Sequence, residues 1–384
     1  MAGHNTGVRF PGHEEIRRYF SHVDATVGLR VYTIFDARVD NVKYDASSAR
    51  WNFHTERGLL ISSTFAIFAC GSFSKPHSPA LPNLETFRGD IIHPSAWPER
   101  LQLKGLPVDC LRTEPLTQGS MRQRSLPYRE SKELKNYYDG MFHKAKLGSS
   151  SAIAYNQNTD YFHSASDKYR VALFERLWNR GDIGLTLSNY RDVMFNKAAH
   201  SSVYDFWAQK TRARMTDPEK RDIVAPLEQF QWFGAKRVNL EMDYYDMLDR
   251  SNVKIIELKK TLIASCYDQG FVTEGRKRRQ RIPSTNAPSF IELQVDWIAS
   301  LLGKLRKDDV CPVEPAEKSC RSWEEKVANA FKAGLFREST ARWTGANIAG
   351  KRVEPHVLFG GVQVWRQECQ RALDDWSSFR VSKA

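Results

Sequence analysis

Apolar residues recur at helical spacing near the start of the chain. Ile16, Phe20, Val23 and Val27 fall on one side of a segment over 14–27, Arg17 and Arg18 lie on the other, and Pro11-Gly12 comes before it, which predicts a helix. The period then shortens. Runs at 31–35, 39–44, 51–54 and 65–69 read as strands parted by Asp-Asn, Asp-Ala-Ser-Ser and Glu-Arg-Gly turns, and together they predict a small antiparallel meander. The last run continues as FAIFACG to Gly71 and gives way to a Pro-rich stretch over 75–82, where the chain has to leave a sheet. From about 131 to 226 the helical period returns. Tyr169, Leu173 and Leu177 stop at Gly181, a second run covers 203–215, and Thr216-Asp217-Pro218-Glu219 is a helix start. Strand signals resume at 253–258 and 262–272, the latter turning at Asp268-Gln269-Gly270. A helix over 289–306 carries Ile291, Val295, Ile298 and Leu302 on one side, and Ser322 with Glu325 has capping-box spacing for a further helix. No internal repeat is present.

Composition narrows the class. With 384 residues, 41% of them hydrophobic and ten tryptophans among them, the chain can build two to three ordinary globular cores. A net charge of +12 suits phosphorylated ligands, nucleic acid or an anionic surface, but charge speaks to steering rather than activity. The densest basic run, EGRKRRQR over 274–281, reads as a loop. No groove-reading motif accompanies it, so nucleic-acid binding ranks last and no nucleic-acid partner is expected. The six cysteines, Cys70, Cys110, Cys266, Cys311, Cys320 and Cys369, include no C-x-x-C pair, which argues against a zinc site or a disulfide scaffold, so no metal is expected. With no run of about 18 apolar residues and no leader pattern, no membrane span is expected and a cytoplasmic location is. Gly345 to Lys351 approaches a phosphate-loop pattern, but Arg352 stands where a magnesium-binding Ser or Thr belongs, and that reading is rejected.

The most specific pattern is Phe87-Arg88-Gly89-Asp90-Ile91-Ile92-His93-Pro94-Ser95-Ala96-Trp97-Pro98. It resembles, at every fixed position, the F-x-G-x-x-x-H-x-x-x-W-[P/D] fingerprint of the Baeyer-Villiger monooxygenases, a family of FAD- and NADPH-dependent flavoproteins. Its surroundings keep the same register. The strand ending at Ala69-Cys70-Gly71 resembles the family's Ala-Thr-Gly strand, with Cys70 in place of Thr, and Phe233-Gly234-Ala235-Lys236-Arg237 resembles its F-G-T-K-R motif. Arg176 to Met215 resembles the helical insert of the nicotinamide domain. The stretch from Glu292 to Arg366, with Trp343-Thr344-Gly345-Ala346-Asn347 and Gly360-Gly361, resembles the closing segment.

The resemblance implies an α/β fold, an incomplete two-dinucleotide-binding-domain flavoprotein with a helical subdomain. Residues 1–98 would be the FAD-domain remnant and 99–275 the NADP-domain remnant, its helical subdomain at about 131–230. Residues 276–384 would be the C-terminal part of the FAD domain. It implies FAD and NADPH as cofactors, a small ketone and oxygen as substrates, and an ester or lactone as product, in secondary metabolism. Arg237 would be the catalytic group, beside the flavin, and Lys236 would contact the 2'-phosphate of NADPH, with Gly71 a further cofactor contact. The chemistry suits those residue types. A guanidinium stays charged and offers several donors to a developing oxyanion, and an ammonium is a point charge for phosphate. The sequence departs from the family in three places. No G-x-G-x-x-G turn occurs, although such turns let backbone approach a pyrophosphate at a helix N-terminus. The first such turn is expected before residue 1, the second between Gly105 and Arg124, and a further Ala-Thr-Gly strand after Val272, where the basic run stands. Two alternatives follow: a cofactor-free remnant acting through a pocket or binding surface, or an incompletely assembled reading frame unable to bind FAD.

Overall fold

A computed structural model of the chain describes residues 10–70, 81–110, 118–120, 125–156, 158–229, 232–234, 239–257, 262–268, 270–274, 287–338, 353–355, 358–374 and 376–383. Contacts divide it into two units. The first comprises residues 1–79, 92–99 and 123–136. Its first helix, α1 (His13–Val27), has two glutamates in the opening turn and ends at Gly28, whose φ of +70° is the left-handed conformation that closes helices. The three-stranded antiparallel sheet β1 (Val39–Asp45), β2 (Arg50–Thr55) and β3 (Leu60–Ser63) pairs Tyr44 with Trp51 and Phe53 with Ile61. The β1–β2 turn is built as its residues suggest. The Asp45 carboxylate accepts hydrogen bonds from the Ser47 amide and both serine hydroxyls, which hold its pKa down at about 2. A further helix, α2 (Tyr128–Lys135), completes the unit.

Three expectations change here. Residues 31–35 are not a strand: Leu29–Tyr32 is a 3-10 turn. Leu60–Ser63 is a strand the pattern did not single out. The apolar run 65–69 is unpaired, with Phe65, Ile67 and Phe68 exposed. A run of that kind is stable as a strand only between neighbours that cover both faces, and among the described residues the sheet stops at β3.

The second unit comprises residues 80–91, 100–122 and 137–384. Its elements are β4 (Gln118–Ser120), α3 (Tyr138–Leu147), α4 (Asp167–Asn179), α5 (Gly184–Leu187), α6 (Lys197–Arg212), α7 (Pro218–Val224), β5 (Asn239–Glu241), α8 (Tyr244–Leu248), β6 (Leu262–Tyr267), β7 (Gly270–Glu274), α9 (Ala287–Asp308), β8 (Val310–Pro315), α10 (Glu317–Ala333), α11 (Gly361–Asp374) and β9 (Phe379–Lys383). The core lies in the helical stretch. Leu173, Phe174 and Leu177 of α4 and Val203, Tyr204, Trp207 and Ala208 of α6 pack together with Tyr190 and Phe233, the i, i+3, i+4 spacing that places them on one face of each helix. Caps fix the helix starts. Asn196 accepts from the Ala198 and Ala199 amides to begin α6, and Asp217 accepts from Glu219 and Lys220 to begin α7.

Strands β4 and β5 pair in parallel, Gly119 opposite Leu240, and β6 and β7 form the expected hairpin. Strands β8 and β9 pair antiparallel, with Arg380 bonded to Glu314 at 2.6 Å. Other positions correct the pattern. The helix marked by Ser322 starts six residues earlier, at Ala316 with no side-chain cap, directly out of β8, so Ser322 is interior. On α9 the buried positions are Leu293 and Leu305 rather than Ile291 and Val295, which are exposed. The stretch from residue 253 is unpaired as far as 257; Ile255 is apolar because it packs on Met215, Val224 and Tyr245. No helix among the described residues is long and apolar enough to cross a membrane.

Candidate functional site

The segment 233–237 carries the residues to which the sequence assigns chemistry. Lys236 and Arg237 lie outside the described residues, as does Gly71. The structure describes the residues on either side of them, up to Gly234 and from Asn239. On the N-terminal side, the Phe233 ring is buried against Trp207 at 6.2 Å between centroids. Gly234 has a φ of +76°, and a Cβ there would stand 3.3 Å from the Thr186 methyl. Glycine is required on both counts, since an L side chain is disfavoured at that φ and the space is tight. Trp232 meets the edge of His200 at 5.2 Å, and the Lys197 ammonium lies 5.7 Å from its ring centroid.

On the C-terminal side, β5 ends at Glu241, a buried carboxylate in an ion pair with a partly exposed arginine. Glu241 is paired with Arg214, which follows α6, and the same guanidinium binds Asp246 at 2.6 Å and the Met242 carbonyl at 3.1 Å. The second Glu241 oxygen accepts from the Tyr244 amide at 3.0 Å. A buried carboxylate needs such partners, because desolvation alone would be costly. Burial works against the Arg214 charge, but the bonds from Asp246 and Glu241 outweigh it and raise its pKa further.

The fingerprint is a set of local turns. Phe87 folds back over Gly89, where a Cβ would sit 2.5 Å from the ring, so a larger residue there would push the Phe87 ring aside. The approach to Phe87 is tied to β6. The Cys266 amide donates to the Pro82 carbonyl at 2.8 Å, and the Asn83 side chain donates to the Ser265 hydroxyl at 2.9 Å. His93 accepts the Ser95 amide at 3.1 Å and caps the 3-10 turn Pro94–Ala96, while Trp97 is 59% exposed and Pro98 is exposed. Phe87 and Gly89 belong to the second unit, and His93, Trp97 and Pro98 to the first. Among the described residues no cluster of His, Cys, Asp or Glu could hold a metal ion.

A groove of about 470 Å³ on α4 and α6 is lined in part by Arg170, Glu175, Asp205 and Lys210. It contains none of the sequence-derived candidates. Its cations are already engaged, Arg170 with Asp167 at 2.8 Å and Lys210 with Glu175 at 2.6 Å. Burial raises the pKa of Asp205.

Two features of this region escaped the sequence: Arg214, which shares its short stretch with Arg212 and so does not stand out, and His200, whose buried position on α6 only the packing reveals. For the cofactors, the donor set of the 233–237 segment fits an anionic ligand: an ammonium for phosphate, a guanidinium for an oxyanion, and a glycine turn to bring backbone close. A glycine-rich pyrophosphate turn is not among the residues of this chain.

No protein-family profile matches the chain. Individual relatives do. The FAD-binding monooxygenase acrE of Aspergillus aculeatus is 24% identical over 98% of this chain and 78% of its own length. Cyclopentanone 1,2-monooxygenase of Comamonas sp. is 24% identical over 90% and 78%. Among solved structures, cyclohexanone monooxygenase from Rhodococcus sp. Phi1 bound to NADP+ superposes with a TM-score of 0.89 at 21% identity, covering 98% of this chain and 86% of that one. A closed cyclohexanone monooxygenase superposes equally well, at 0.89 and 23% identity, over 100% and 87%. The comparison with acrE runs over 462 positions against 384 residues here, so at least 78 positions fall opposite gaps in this chain. Along nearly its whole length the chain is thus similar to FAD-binding and Baeyer-Villiger-type monooxygenases, and it shares the fold of the solved cyclohexanone monooxygenases.

Proposed function

We propose that the protein is a flavin monooxygenase that inserts one oxygen atom beside the carbonyl of a small ketone, giving an ester or lactone, with FAD and NADPH as cofactors and the cytoplasm as its location. FAD reduced by NADPH supplies the activated oxygen when bound. The observation that carries the reading is the 233–237 sequence, which has the motif residues of that family; before it stands the buried Phe233 ring, and after it, at 241, the Arg214–Glu241 pair.

The roles follow from the residue types. Arg237 stabilises the negative charge that develops on the substrate carbonyl oxygen, a task suited to a group that cannot lose its proton. Lys236 binds the 2'-phosphate of NADPH and selects it over NADH, and Gly71 lets backbone approach the flavin. Positioning counts as much as charge, since small displacements of a catalytic group cost large factors in rate. His93 and Trp97 belong to the fingerprint, and His93 shapes its turn by capping Pro94–Ala96.

The test is the visible spectrum of the purified chain after mixing with FAD and desalting, followed by NADPH consumption with a cyclic ketone. A retained flavin band and ketone-dependent turnover that Arg237→Ala abolishes are expected. A colourless chain would overturn the proposal and leave the non-enzymatic reading.

A further inference from the structure

His200 lies one turn into α6, and its amide donates to the carbonyl of the capping residue Asn196 at 3.0 Å. The side chain is 1% exposed. Its Nδ1 is 2.7 Å from the Val193 carbonyl; a carbonyl can only accept, so Nδ1 carries the proton of that bond. Burial lowers the pKa of the ring and favours the neutral form, against the pull of the Val193 and Phe233 backbones. Nε2 then presents a lone pair. It has no hydrogen-bond partner among the described residues, although the Phe233 backbone lies near it.

The surroundings of Nε2 make this a contact with the functional segment rather than a packing detail. His200 helps line a small gap of about 10 Å³, together with Thr186, Met194 and Phe233. A gap of that size holds about one water molecule. The Thr186 hydroxyl is likewise buried without a partner among the described residues, and the methyl of the same side chain is the atom that a Cβ on Gly234 would crowd. The ring edge meets Trp232 at 5.2 Å, with planes at 86°. One imidazole therefore touches the 193–196 loop through Nδ1, Trp232 through its edge, and the Phe233 side of the gap through Nε2.

We propose that His200 is the positioning residue that seats the Trp232–Gly234 turn, which in the sequence stands directly ahead of the Ala235-Lys236-Arg237 stretch. The inference deepens the proposed function and rests on it for the roles of Lys236 and Arg237. The seating itself can be read without any cofactor.

Two substitutions separate this role from bulk packing. His200→Asn keeps an amide donor for the Val193 carbonyl but cannot reach the Phe233 side of the gap; His200→Gln places an amide close to where Nε2 stands. Hydrogen exchange is measured by mass spectrometry on the full chain without cofactor. His200→Asn is expected to speed exchange about tenfold in peptides covering Trp232–Gly234, with α6 beyond residue 203 protected as in the wild type and His200→Gln restoring most of the difference. Unchanged exchange at Trp232–Gly234 in His200→Asn, or equal loosening of α6 and the turn, overturns the proposal. Should the Asn variant fail to fold, the ring 15N shifts of His200 are compared between the wild type and Gly234→Ala: a shift on disturbing the turn supports the contact, and none overturns it. NADPH titration then follows, with about tenfold weaker binding expected for His200→Asn. A wild-type chain that binds no NADPH counts against the proposed function, while the exchange result still decides the role of His200.

Discussion

The helical core and the N-terminal meander are built from equally apolar sequence and end up differently. In the second unit, α4 and α6 bury Phe174, Leu177, Tyr204 and Trp207 against one another. In the first, α1 has no buried residue, and Val31 and Tyr32 are 81% and 87% exposed, with Phe20, Phe35, Ile67 and Phe68 also open. The helices find their partners within about 40 residues of chain, so their stripes close on each other. The apolar run 65–69 has the pattern of a strand flanked on both faces, and sequence-adjacent segments offer only a three-stranded meander. Hydrophobicity states a demand for cover; which segments meet it is a matter of topology.

The sharpest way to break the comparison is one large apolar truncation in each unit. Trp207→Ala is expected to cost about 3–5 kcal/mol, as for a fully enclosed aromatic, whereas Phe68→Ala is expected to stay within about 0.5 kcal/mol, as for an exposed side chain. Urea unfolding of both variants decides it, and equal losses would mean that the meander is covered as thoroughly as the core.

Next in size is the ion pair behind β5. Arg214→Met leaves Glu241 buried without its partner and is expected to cost about 3 kcal/mol, near the low end for breaking a buried pair. Adding Glu241→Gln to that variant should recover part of the loss, because a neutral amide is cheaper to bury than a carboxylate. Gly234→Ala is expected to cost about 1–2 kcal/mol for a left-handed non-glycine residue, together with weaker NADPH binding. Loss of stability without any change in binding would separate the turn from the site.

The smallest effect is a pH slope. The folded pKa of His200 lies below the ordinary 6.5, so below pH 6.5 the unfolded chain takes up a proton that the folded chain resists. Stability therefore falls as pH drops through that window. His200→Asn should flatten the slope there, as read from thermal unfolding at pH 7.5, 6.5 and 5.5. The groups near the ring, Lys197 over Trp232 and Glu338 paired with Lys197 at 3.1 Å, are oppositely charged and leave that direction unchanged.

Much of the fold was legible where the signal is local. Helix α1, the Asp45 turn, the Asp217-Pro218 start of α7 and the β6–β7 hairpin each rest on a few consecutive residues whose backbone preferences agree. The expectations that failed depended on distant partners. Residues 65–69 lack paired neighbours, α10 starts out of β8 rather than at its best capping sequence, and strands β8 and β9, over 60 residues apart, carry no local cue to each other.

The candidate site divides the same way. The motif 233–237 and the fingerprint 87–98 could be read directly, because they are contiguous and their residue types match the chemistry of phosphate and oxyanion binding. By itself the sequence carried the resemblance to the monooxygenases, the helical segments and the identity of the charged groups on offer. Only the tertiary structure decided what packs on the described residues flanking those groups. Arg214 and His200 act through contacts with Glu241, Val193 and the Trp232–Gly234 turn, and Gly234 is required by its left-handed backbone and by Thr186 beside it in space. Burial and close approach are relations between distant parts of a chain, and one-dimensional order does not record them.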